Sequence, residues 1–130
     1  MKDFTNIEQE RIIYKDKYFF IIHDGFPVNP GHLLIISNEV RADYFDLSDE
    51  EKLALPIAIQ NAKEIILSNH KPDGFNIGMN CGEFAGQTVF HFHCHLIPRY
   101  KDAKNKDILL WNHEEFTDDE MKAICESLKY

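Results

Sequence analysis

The sequence predicts an α+β domain: an antiparallel sheet of about five strands with one long helix and a short C-terminal helix. Three observations carry that expectation. The strand-like segments are mostly joined by short breaker clusters, one long amphipathic repeat separates the third strand from the fourth, and too few helical repeats remain for the crossovers of a doubly wound parallel sheet. With 130 residues, 44% of them apolar, the chain has the size and composition of a single domain, residues 1–130.

The first element is a hairpin. "RIIYKDKYFFIIHD" holds two runs rich in Ile, Phe and Tyr around the polar Lys15, Asp16 and Lys17. "GFPVNPG" then concentrates two glycines and two prolines in a loop, and "HLLIIS" follows as a buried strand, so His32 enters that strand directly from a tight turn. Ser48 and Glu51 match a capping box. Beyond them Leu55, Ala58, Ile59, Ala62, Ile65 and Ile66 recur on one helical face. Pro56 lies inside this helix, where it removes a hydrogen bond and implies a kink or a late start. "NHKPDG" closes the helix, "FNIGMNCG" reads as a strand, "EFAG" turns, and "QTVFHFHCHLIP" reads as one long strand. Thr117 and Glu120 form a second capping box before the short final helix.

Composition narrows the partners. The formal charge is −8, from 14 basic and 22 acidic residues, with no basic face for a phosphate backbone, so nucleic acid is not expected. A small anion stays possible, because backbone N–H groups and histidines act locally. Cys81, Cys94 and Cys125 are odd in number and widely spaced, which implies reduced thiols. "MKDFTNIEQERIIY" lacks the apolar run of a signal peptide and no segment has the length of apolar sequence a membrane helix needs, so a soluble, cytoplasmic protein without a membrane partner is expected.

"HFHCHLIPR" places His91, His93 and His95 at alternate positions. On a strand they share one face, about 7 Å from neighbour to neighbour, while Phe92, Cys94 and Leu96 take the other. Two chemistries use such a row. H-x-H can direct two nitrogens at a zinc ion, but the third histidine lies too far along a continuous strand and no nearby carboxylate motif completes the set. A neutral imidazole can instead attack phosphorus while its neighbours stabilise charge, and the central His93 is the natural nucleophile. The preceding "GEFAGQTV" adds flexible backbone amides and the neutral donors Gln87 and Thr88.

His91-Phe-His93-Cys-His95-Leu-Ile resembles the signature of the histidine triad family, in which three histidines alternate with apolar residues. The likeness extends through "GQTVFHFHCHLIPRY", "NCGEFAG" and "HDGFPVNPGHLLIIS". It implies a HIT-like fold and a nucleotide hydrolase or transferase acting on the α-phosphate of adenosine polyphosphates or phosphoramidates. The reaction would pass through a covalent nucleotidyl-histidine on His93 and release AMP, on a homodimer with one site per subunit. By position in the motif, His95 and His32 would contact the phosphate and His91 would support the nucleophile. Asn80, Gln87 and Thr88 would bind phosphate oxygens, Asp24 would accept from the ribose hydroxyls, and Phe20 and Ile22 would lie near the base. No protein-bound metal or other cofactor is implied, although Mg²⁺ could arrive complexed to a polyphosphate. The chain departs from many relatives in lacking an N-terminal cysteine-rich zinc motif. The resemblance assigns no work to His23 and leaves Arg99 and Tyr100 open, and a non-catalytic nucleotide-binding module and a metal-dependent hydrolase remain the rival readings.

Overall fold

The computed structural model describes residues 3–108 and 115–129. Five strands, β1 (Ile12–Lys15), β2 (Phe19–His23), β3 (Leu33–Ser37), β4 (Gly74–Gly78) and β5 (His93–Arg99), form one sheet in the order β1-β2-β3-β5-β4. Every neighbouring pair is antiparallel. The long helix α1 (Asp49–Leu67) connects β3 to β4, and α2 (Asp118–Ser127) lies near the C-terminus. Among the described residues no helix is long and apolar enough to cross a membrane.

Alternation along the strands divides the core into two sides. Phe19, Ile21, Leu33, Ile35, Cys94 and Leu96 face α1 and meet Leu55, Ala58, Ala62 and Ile66. On the opposite side Phe20, Ile22, Leu34 and Ile36 pack with Phe4. His93 is paired with Ile36 and His95 with Leu34, so both histidines stand on this second side, away from the helix. Cys94, between them, is buried against α1 and its thiol is pushed up to about 12 by desolvation, a backbone contact from Gly78 opposing in part.

The Ser48 capping box forms as its spacing predicts. Ser48 Oγ accepts from the Glu51 N–H (3.1 Å), and Glu51 Oε1 accepts from the Ser48 N–H (2.7 Å). Pro56 neither delays α1 nor ends it. It lies on the exposed side, where water can take the Lys52 carbonyl that a proline cannot bond. A second difference concerns the segment before the triad. The strand expected from Gln87 starts only at His93, because residues 89–91 form bends and the Phe92 N–H donates to the Arg41 carbonyl (2.6 Å) rather than to a neighbouring strand. The Thr117 capping box also forms, and α2 buries none of its residues.

Candidate active site

The row of three histidines is built from two different devices. His91 precedes the strand and is 1% exposed, so it does not share the presented face that strict alternation predicts. Its Nδ1 accepts from the Phe4 N–H (2.9 Å), which leaves Nε2 protonated to donate to the Ser37 carbonyl (2.8 Å). The His91 main-chain carbonyl in turn lies 2.8 Å from His93 Nδ1. A carbonyl only accepts, so in the neutral ring of His93 the proton sits on Nδ1 and Nε2 keeps the lone pair.

The second device begins at the turn before β3. Gly31 has a φ of 93°, and a Cβ there would lie 3.1 Å from the His70 ring and 3.3 Å from Pro98, so glycine alone fits. The turn brings the Val28 N–H to His32 Nδ1 (3.0 Å) and turns His32 Nε2 toward His95 Nδ1 (2.9 Å). With His32 Nδ1 accepting, Nε2 holds the proton. His95 Nδ1 accepts it, and His95 Nε2 therefore carries an N–H of its own. Asp24 Oδ1 accepts from the Phe26 N–H (2.8 Å), while Oδ2 lies 3.3 Å from His32 Nε2 and 3.7 Å from His95 Nδ1.

Burial pushes the His95 imidazole down to about 4, assisted by His93 and His32 and opposed only in part by Asp24. His32 is also lowered, mainly by burial, with the Asp24 carboxylate opposing and the Arg99 charge adding to it. Both rings are thus neutral near pH 7, and the Asp24 carboxylate approaches His32 at 3.3 Å as a polar contact rather than an ion pair.

Asp24, His32 and His95 are also the one group of potential metal donors among the described residues. Their spacing suits a hydrogen bond better than a metal. Two nitrogens on a tetrahedral zinc stand about 3.3 Å apart at ordinary Zn–N lengths, whereas His32 and His95 are at 2.9 Å with a proton between them.

Two clefts open on this side of the sheet, and His95 and Asn80 line both. One, of about 500 Å³, is bounded by Phe4, Arg11, Ile22, Asp24, Thr88 and His93. The other, of about 450 Å³, is bounded by Val28, His32, Met79, Ala85 and Ile97. The structure therefore brings together Asp24, His32, Asn80, Thr88, His93 and His95, with Ile22 in the wall. Phe20 is buried behind that wall, beside Ile22 in the core.

Gln87 requires a correction. It is 4% exposed and lines neither cleft. Its Oε1 accepts from the Gly82 N–H (2.8 Å), and its amide donates to the Ala42 (2.6 Å) and Val89 (3.0 Å) carbonyls. Both amide hydrogens are committed to fixing the loop, which leaves none for a phosphate oxygen. His23 is exposed at the end of β2, Tyr100 donates to the Pro30 carbonyl (2.8 Å), and Arg99 Nε donates to Asn76 Oδ1 (2.6 Å). Phe4, Arg11, Val28 and Met79 are cleft residues that sequence reasoning missed. Phe4 and Val28 act through backbone N–H groups, which no side-chain pattern reveals.

Comparison with known proteins points to one family. An AP-4-A phosphorylase of Mycobacterium tuberculosis is 32% identical over 99 residues, covering 75% of this chain, which spans about half (51%) of that relative. A bis(5'-adenosyl)-triphosphatase of Dictyostelium discoideum is 33% identical over 102 residues, 78% of this chain and 68% of the relative. The crystal structure of a HIT family protein from Bacillus anthracis superposes with a TM-score of 0.71 at 33% identity, covering 90% of this chain and 84% of that one. The profile of the HIT domain matches residues 6–102, a span that holds all five strands, α1 and the histidines His32, His91, His93 and His95, and the chain belongs to the HIT domain family.

Proposed function

We propose that the chain is a nucleotide hydrolase that cleaves at the α-phosphate of an adenosine polyphosphate or phosphoramidate through a nucleotidyl-histidine on His93, releasing AMP. The observation that carries this reading is the 2.8 Å contact between His93 Nδ1 and the His91 carbonyl, which leaves the Nε2 lone pair at the cleft. The names of the mycobacterial and Dictyostelium relatives support the substrate class.

In the first step Nε2 of His93 forms a bond to phosphorus while the bond to the leaving group breaks. The leaving group departs with the electron pair and takes one proton from solvent. His93 keeps Nδ1–H, so the modified ring is cationic, and the His91 carbonyl faces that charge. The His95 Nε2–H and the Thr88 hydroxyl donate to the phosphate oxygens as charge develops. In the second step water attacks phosphorus, the N–P bond breaks, and a proton returns to solvent. AMP and neutral His93 result. Asp24, at the nucleoside end, accepts from the ribose hydroxyls.

The protein itself requires no metal in this scheme, and with a polyphosphate any Mg²⁺ enters as part of the substrate. Leu53 and Ile57, exposed on α1, support a homodimer. The acidic chain is not expected to bind nucleic acid, and its free thiols suit the cytosol.

The test is turnover of diadenosine tetraphosphate and an adenosine phosphoramidate by metal-free protein in EDTA, with products separated by chromatography. AMP should appear with wild type and fall by at least about a thousandfold with His93→Ala, while AMP binding by calorimetry persists. Unchanged turnover by the variant would refute the mechanism, and AMP binding without turnover of any substrate would identify a binding module instead.

A further inference from the structure

The cleft of about 500 Å³ runs across the strands from the histidines to the start of β1. His95 is paired with Leu34, Leu34 with Ile22 and Ile22 with Ile12, so its two ends lie three strand spacings, about 14 Å, apart. In the function proposed above phosphorus lies between His93 and His95 and the ribose at Asp24. The base is thereby carried toward the far end, among Phe4, Ile22, Gly25 and Phe26.

Those residues are apolar or bare backbone. One polar side chain joins them, that of Arg11, which ends the 3₁₀ turn before β1 and is half-buried. A Cβ on Gly25 would meet one side chain, Arg11 Nη2 at 3.9 Å, and the Gly25 backbone lies outside the left-handed region. The bare position therefore gives room beside the guanidinium rather than backbone freedom. Among the described residues no carboxylate stands within ion-pairing distance of Arg11. Asp24, the acid of the same cleft, turns Oδ1 to the Phe26 N–H and Oδ2 toward His32.

A guanidinium is a permanently charged fork of N–H donors with no acceptor. That inventory separates the purines. Guanine and hypoxanthine present N7 and O6 side by side, two acceptors that a guanidinium can engage together. Adenine presents N7 beside the N6 amine, a donor for which the fork has no acceptor.

We propose that Arg11 reads the N7 edge of the base, and that the nucleoside cleft selects 6-oxopurine nucleotides, those of guanine and hypoxanthine, over adenosine nucleotides. The inference rests on the placing of phosphorus at His93 in the proposed function and refines its substrate. Adenosine nucleotides enter the same cleft with one acceptor in place of two, and the reaction at phosphorus is unchanged.

Calorimetric titration of the full, metal-free chain with GMP, IMP, AMP and 7-deaza-GMP tests this without turnover. GMP and IMP should each bind at least about tenfold more tightly than AMP, the discrimination that one bidentate pair gives. 7-deaza-GMP keeps O6 but lacks the N7 acceptor, and should bind about fivefold more weakly than GMP. Arg11→Ala should bring GMP and IMP to within about twofold of AMP, chiefly by weakening the first two. The main-chain N–H of residue 11, which donates to the Glu8 carbonyl (2.9 Å), is untouched by that change, and retained AMP binding shows the cleft intact. Equal affinity for GMP and AMP in the wild type would overturn the base reading and leave the His93 reaction standing. A preference that survives Arg11→Ala, or an equal loss for GMP and AMP in that variant, would also overturn it. Selective binding of GMP and IMP without turnover of any substrate would support the base reading and refute the hydrolase. Binding of none of the monophosphates would overturn both together.

Discussion

His95 holds its proton on Nε2 because its other nitrogen is occupied from behind. The Val28 N–H fixes His32, and His32 fixes His95, so a main-chain amide in a proline-rich turn sets which atom of a distant ring faces the substrate. The same burial that excludes water keeps His95 neutral, and its effect on stability has a definite sign. Its folded value of about 4 lies below the ordinary 6.5, so between those values the unfolded chain binds a proton that the folded chain refuses. The full stability is present above about pH 6.5 and declines as the pH falls toward 4, with His32 acting in the same direction. Urea midpoints measured from pH 7 to pH 4.5 should therefore fall, and His95→Gln should make the slope shallower. NMR titration of the ring should place its midpoint near 4; a midpoint near 6.5 would remove this contribution to the pH dependence of stability.

The triad's geometry depends on elements that do not touch the substrate. Glu51 belongs to the cap of α1 and also accepts from Arg41 Nε (2.9 Å), whose carbonyl receives the Phe92 N–H and whose neighbour Ala42 receives the Gln87 amide. The start of the helix, the bend before the nucleophile and the loop at Gly82 are thereby one connected structure. Gln87→Ala would leave the Gly82 N–H and the Ala42 carbonyl without these partners, and should lower the free energy of unfolding by about 2 kcal/mol in urea titration. Much of this level was legible in the sequence: the Ser48 and Thr117 caps, the face of α1 that is buried, and an antiparallel sheet of about five strands. Two things were not. Period-two alternation cannot show where a strand begins, so His91 was placed on the same face as His93 although it is anchored by Phe4 and Ser37. A glutamine beside a glycine turn has the same composition whether it offers its amide to a ligand or spends it on Ala42 and Val89.

For the molecule as a whole, the sheet separates two environments. One side is dry, closed by α1; the other carries the histidines, the two clefts and a smaller apolar cluster. That division was readable from the alternation of His93, Cys94 and His95, because a two-residue period assigns opposite sides wherever the chain is a strand. The second cleft was not readable, since Val28, Met79, Ala85 and Ile97 come from separate segments whose meeting depends on the pairing of β4 with β5 and on the turn before β3. Cys94 gives the division an experimental use. Its thiol is buried under α1 and held far from its thiolate form, while Cys125 is exposed and Cys81 partly so. A pulse of iodoacetamide should therefore add two labels to the native chain and a third only when the helix has left the sheet. Mass spectrometry of that third label would time global opening separately from any motion in the clefts, so the chain carries its own clock for unfolding one residue away from the nucleophile.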